Sequence, residues 1–214
     1  MSSPKYRPGP VGGVRDRRRR ENQQQLCAAA LPLFLADGTG AVTIDEIVTA
    51  ARMSKGSFYR YAQDKADLVE QIMTPVIGEV TGALDRCELS LRGARLDTLA
   101  ATYVQLATDL SMIVARHTPQ VLLYLQEVRA PAAPARRAIH ALADQLTSRA
   151  IALTVTARDH GLLRDVDPEV SALAVVGAVD ALLFAHLRRP RARSTAVPAV
   201  IAELVSIVLL GIRR

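Results

Sequence analysis

Residues 43–68 read TIDEIVTAARMSKGSFYRYAQDKADL, and their spacing predicts two short helices crossing at a tight turn. Ile44, Ile47, Val48 and Ala51 stand at i, i+3, i+4 and i+7, one apolar helical face, and Thr43 with Glu46 three residues on makes a capping box that fixes the start. Met53 and Ser54 end the pattern, and the Ser54 hydroxyl can cap a second helix. In that second helix only Phe58 and Ala62 need face inward, which leaves Lys55, Ser57, Tyr59, Arg60 and Tyr61 outside. Such a surface suits a DNA groove. Lys and Arg reach guanine acceptors, hydroxyls bond bases or phosphates, and rings touch thymine methyls; Gly56 lets the helix start come close. Short amphipathic helices with polar outer faces also occur throughout all-helical proteins, so the pattern by itself leaves both readings open.

Upstream, Leu26, Ala30, Leu33 and Phe34 predict a first helix from Arg18 to Ala36, closed by Gly38 or Gly40. Pro32 lies inside it and predicts a kink costing roughly 3 kcal/mol unless the packing is shaped to it. Ahead of this helix, residues 1–17 read as a flexible basic arm: the Pro- and Gly-rich stretch Met1–Val14 has little apolar content. Arginines from Arg15 to Arg20, Arg17 and Arg18 among them, can lie along a DNA backbone or reach into the minor groove. A signal peptide is not expected, because Glu-Asn-Gln-Gln-Gln follows Arg20 where an apolar run would be needed.

The charge is unevenly placed. Of the net +6, a share of +5 falls in residues 1–65, where eleven Lys or Arg face six acids. A basic end carrying a helix-turn-helix and a near-neutral remainder is the footprint of a chain that meets a polyanion at one end only.

The order Gly40, Thr43, Asp45-Glu46-Ile47, Ala51, then Ser54-Lys55-Gly56-Ser57-Phe58-Tyr59-Arg60-Tyr61, Lys65 and Leu68 resembles the DNA-binding domain of the tetracycline-repressor (TetR) family of bacterial transcription regulators. The resemblance implies a three-helix DNA-binding domain, here residues 18–68. Behind it, over residues 69–214, it implies a larger helical domain that binds a small molecule and dimerises, with repression relieved by the ligand. By position, Lys55, Gly56, Ser57, Tyr59, Arg60 and Tyr61 match the family's groove-facing residues, and Thr43, Tyr59 and Lys65 its phosphate contacts; Ser54, the cap, completes the set. The chain departs from the family at two places. Arg52 stands where Gly is usual, and in a left-handed conformation it would cost about 1 kcal/mol; Ala62 stands where Phe is usual and thins the small core.

The remainder predicts an all-α fold, since Ala, Leu, Arg and Glu recur at helical spacing and few segments alternate. A fourth helix starts near Asp64 or Lys65, with an apolar face of Leu68, Val69, Ile72, Met73 and Val76, and joins the two domains. Further helices are expected over residues 76–92, 96–116, 120–129, 134–158, 168–188 and 198–212, separated by Pro, Gly and capping signals. Segments 172–187 and 197–212 are the most apolar in the chain and fit a dimer interface, the role the family gives its last two helices. A membrane helix is the weaker alternative: Glu203 sits in one segment and Asp180 interrupts the other.

A ligand pocket is expected between the middle helices, with Tyr103, Leu106, Met112, His117, Tyr124, Gln126, Glu127, Asp180 and Phe184 as candidate lining. Asp180 stands out because a carboxylate within an apolar run needs a partner or a role; a cross-dimer hydrogen bond is the equal alternative. No metalloprotease, phosphate-loop, dinucleotide or nucleophile-elbow motif is present, the four histidines lack metal-ligand spacing, and no cofactor is expected. Cys27 and Cys87 fit reduced thiols in a cytoplasmic protein. Two functions follow: a homodimeric, effector-responsive repressor that binds double-stranded operator DNA, or a helical enzyme or carrier for an apolar molecule without DNA binding.

Overall fold

A computed structural model describes residues 13–188, 199 and 203–207; among these the structure is helical, with no β-strand. The all-α expectation holds. The first helix, α1 (Val14–Ala41), starts four residues before the expected Arg18, so Arg15 and Arg17 ride on its exposed first turn instead of on an arm. It breaks where a glycine was expected to end it: Gly38 has φ 80° and ψ 155°. Pro32 does not break the helix: Gly38 is its one non-helical residue. Pro32 faces solvent, as does Ala28, whose carbonyl loses its partner there, so water can serve the orphaned acceptor.

The next helices follow their caps. In α2 (Ile44–Ala50) the box is complete: the Glu46 amide donates to Thr43 Oγ1 at 3.3 Å, and the Thr43 amide donates to Glu46 Oε2 at 2.7 Å. In α3 (Lys55–Tyr61) Ser54 is the cap, accepting from the Ser57 amide at 3.1 Å. Phe58 and Ala62 are buried, as their spacing required, against Leu26, Ala30, Phe34, Ile47 and Val48. Between α2 and α3, Arg52 takes φ 53°, the left-handed conformation its position implied. A side chain there is strained, and the Arg52 side chain is exposed with no hydrogen bond or ion pair among the described residues. Arg52→Gly is therefore expected to raise stability by up to about 1 kcal/mol, read as a higher urea midpoint with unchanged slope.

Asp64 caps α4 (Lys65–Arg92), which passes through Pro75 without interruption. Two helices were expected here, meeting near Val76. They are one because Pro75 sits on the exposed side, as Pro32 does. Then come α5 (Leu99–Arg116), α6 (Thr118–Glu127), a single 3-10 turn at Pro134–Arg136, α7 (Arg137–Asp159) and α8 (Pro168–Leu187). The long α4 is the spine: α1 packs on its start, α5 and α7 on its length, and α8 covers α7. Lying across the top, α6 touches both α1 and α8. By length and composition α8 could cross a membrane; here it packs through buried Ala172 and Leu183 and carries a half-buried Asp180. The last expected helix lies largely outside the described residues, of which 203–207 are helical.

Candidate nucleic-acid interface and ligand cavity

Helix α3 turns its polar side outward. Tyr59 is 54% exposed and is held edge-on by the buried Phe58 ring, with centroids 5.3 Å apart and planes at 81°. Arg60 is exposed and has no ion pair among the described residues. Lys55 lies 2.9 Å from Asp45 Oδ1, joining the starts of α3 and α2; the hydrogen bond and charge of Asp45 raise its ammonium above the ordinary value. A Cβ on Gly56 would meet no atom nearer than Ser54 Oγ at 3.9 Å, so nothing inside the protein requires glycine there. The Ser54 and Ser57 hydroxyls are 3.0 Å apart, and Thr43 is exposed at the start of α2.

Two residues of the expected DNA-contacting set are engaged inside the fold. Lys65 donates from Nζ to the carbonyls of Gly40 at 3.0 Å and Val42 at 2.7 Å, closing the chain as it leaves α1. Burial, then the charge of Arg136, lowers its ammonium from the ordinary lysine value. The Tyr61 hydroxyl accepts from Asn22 Nδ2 at 2.9 Å, and its carbonyl accepts from Gln71. Both tie α3 and α4 to α1. Sequence position cannot separate an outward lysine from one folded back onto carbonyls 23 and 25 residues away.

Behind this head, α4, α5, α7 and α8, with Leu163, Leu204 and Val205, line a partly open cavity of about 180 Å³. Tyr103, Leu106 and Asp180 of the expected set line it, with Leu84, Leu110, Leu146, Leu153, Val175 and Val176. These aliphatic residues were not singled out because helical spacing alone does not distinguish a cavity wall from core. Tyr124 stands behind the wall, its hydroxyl 3.4 Å from Asp180 Oδ2. Burial raises the Asp180 carboxyl above the usual carboxylate range, opposed by the Tyr124 hydrogen bond and the charge of Arg129. The remaining candidates lie elsewhere. Met112 is 49% exposed, Gln126 faces solvent, and His117 bonds Glu79 at 2.9 Å. Phe184 lies under the Arg188 guanidinium, 5.0 Å from its ring centre.

Glu127 turns away from the cavity toward the head. Its Oε1 accepts from the Thr39 amide at 3.1 Å and its Oε2 from the Thr39 hydroxyl at 2.8 Å, while Arg136 Nε closes the bridge from the other side. Only a glycine fits beside it: a Cβ on Gly38 would stand 3.0 Å from Glu127 Oε1. The carboxyl is almost completely buried; burial alone would raise it, but the Thr39 and Arg136 hydrogen bonds together hold it below the ordinary value. The α1 break, the α6 end and the 3-10 turn meet at this one anion.

A family model described as "Bacterial regulatory proteins, tetR family" matches residues 26–72, which span this head. A second, "Tetracyclin repressor-like, C-terminal domain", matches residues 95–183, which span most of the cavity wall. The chain belongs to the TetR family of bacterial regulatory proteins. By family it is a DNA-binding transcription regulator. The transcriptional regulator AcuR of Cereibacter sphaeroides is 48% identical over 44 residues, which are 21% of this chain and 20% of that curated relative, so the match spans about a fifth of the relative's length. A putative TetR-family regulator from Syntrophomonas wolfei superposes with a TM-score of 0.70 at 17% identity, over 89% of this chain and 95% of that one. The fatty acid degradation regulator FadR from Bacillus halodurans does so with a TM-score of 0.68 at 14% identity, over 96% and 98%. At these identities the TetR-like structures speak for the fold.

The thiols of this TetR-family chain are poorly placed for redox sensing. Burial, then the charge of Asp67, pushes Cys27 up to about 11, and burial, then Asp109, pushes Cys87 up to about 12. Neither is a thiolate near neutrality, the form that reacts.

Proposed function

We propose that this protein is a cytoplasmic, homodimeric repressor that binds a near-palindromic operator and is released by a small, largely apolar effector. It acts by binding, without turnover. One observation carries the reading: the C-terminal half of α6 touches both the head and the cavity wall. Tyr124 touches Asp180 of the cavity wall, and Glu127, one turn on, grips Thr39 at the α1 break. A molecule that displaces Asp180 or Tyr124 tilts α6, and the head follows through a bridge too buried to slip.

The DNA side rests on α3, where Ser57, Tyr59 and Arg60 form the reading surface, Lys55 and Thr43 flank it, and Arg17 and Arg18 reach the backbone from α1. Paired heads would enter successive major grooves roughly 34 Å apart. Pairing rests on α8, whose Val170, Leu173 and Leu182 are exposed at 65%, 54% and 40% in the single chain. With Ala174, Gly177, Ala181 and Ala185 they make a continuous apolar stripe that a second copy would cover. Leu173→Glu is expected to convert the dimer to monomer in sedimentation velocity and to weaken operator binding; a variant that stays dimeric would exclude α8 from the interface.

The whole reading is tested by fluorescence anisotropy on duplexes tiled across the promoter of the protein's own gene, over a salt series. Affinity should fall steeply with salt, by a power of about 0.9 per phosphate contacted. Absence of any duplex bound more tightly than random sequence would refute operator recognition.

A further inference from the structure

We infer that the cavity selects a compact organic cation: an ammonium on an apolar body about the size of one ring. The inference rests on this cavity being the effector site. Among the described lining residues Asp180 is the sole charged group, and no Lys, Arg or His shares the wall with it. The wall it shares is mostly aliphatic, with Leu106, Leu110, Leu146, Val176 and Val179 among its residues, so the carboxylate belongs to a largely hydrocarbon lining. Its protein partners are weak. The Tyr124 hydroxyl is 3.4 Å away, at the outer limit of a hydrogen bond, and Arg129 acts on it through space without forming an ion pair.

A buried carboxylate in this condition is costly unless something supplies charge and donors. A hydrocarbon leaves the cost in place, and an anion adds repulsion to it. An ammonium removes it, since its N–H groups can satisfy Asp180 while its carbon body covers the leucines and valines. The Tyr103 hydroxyl, on the wall and without a hydrogen bond among the described residues, offers the cation a further acceptor. Size is compatible: a cavity of roughly 150 Å³ takes up benzene, so 180 Å³ admits a ring with a short arm.

Isothermal titration of the full-length protein with benzylamine, toluene and benzoate separates the possibilities. Benzylamine should bind at least about tenfold more tightly than toluene, as one charge-assisted hydrogen bond provides, and benzoate should not compete. In Asp180→Asn, benzylamine should fall to the level of toluene while toluene is unchanged, which also shows that the variant keeps its cavity. Toluene or benzoate binding as well as benzylamine, or a preference for the amine that survives Asp180→Asn, would overturn the cation and leave the cavity standing. If none of the three binds the parent protein, the cavity itself is not an effector site and both readings fall.

Discussion

Glu127→Ala is expected to lose about 3 kcal/mol of folding stability, the low end for stripping one partner from a buried ion pair. The low end applies because the Arg136 side chain keeps 18% exposure and can recover some hydration, whereas Thr39 is fully buried. In the variant the Thr39 amide and hydroxyl lose their acceptor in a place water does not reach, and Arg136 is left as an unpaired cation. The measurement is urea unfolding. With slopes of roughly 1–3 kcal/mol per molar, the midpoint should fall by about 1 M or more. Glu127→Gln removes the charge and one of the two accepting oxygens: its single amide oxygen can keep the bond from the Thr39 amide, while the ion pair with Arg136 is gone. The pH dependence has a definite sign. A carboxyl held below its unfolded value of 4.5 contributes stability that is complete above that pH and is lost as pH falls through the folded value. The gap between parent and Glu127→Gln should therefore be widest near neutrality and close as acid is added below 4.5. A gap independent of pH would mean that charge plays no part in the bridge.

This bridge also shows what the sequence could and could not disclose. Local features were legible: the Thr43–Glu46 box, the Ser54 cap and the inward turn of Phe58 and Ala62 all depend on neighbours within a few residues, whereas the strained Arg52 was implied by the family resemblance. Glu127 was singled out, but as a pocket residue. Nothing within a helical turn of it reveals Thr39, 88 residues away, or that Gly38 leaves room for it. Lys65 and Tyr61 fall under the same limit, since motif position fixed their place in the chain but not which way their side chains turn. The prolines failed differently. Pro32 was read as a kink and a helix boundary was set beside Pro75, yet the helix continues through each, and each lies on the solvent side, where the orphaned carbonyl costs little. Cavity walls were least legible, because aliphatic residues lining empty space and those filling a core have the same spacing.

Arg60→Ala and Lys55→Ala should weaken operator binding about 10- to 100-fold each, the range of 1–3 kcal/mol for a direct base contact. Thermal stability should hardly move. Both side chains are exposed, Arg60 makes no ion pair among the described residues, and the Lys55 pair with Asp45 is solvent-facing and so contributes little. The two variants are distinguishable. Removing Arg60 deletes one cation. Removing Lys55 also uncovers the Asp45 carboxylate, which then faces the phosphates unneutralised, so Lys55→Ala should be the more damaging and Asp45→Asn should restore part of its loss. Salt separates the roles further: a residue bound to phosphate lowers the slope of log affinity against log salt by about 0.9, whereas a residue bound to a base edge leaves the slope and weakens discrimination against mutated operators. Gly56→Leu completes the set, because its side chain enters space that no protein atom occupies and that only the approaching duplex would fill. It should fold normally and bind operator poorly; a Gly56→Leu protein that binds like the parent would mean that α3 does not enter the groove by its first turn.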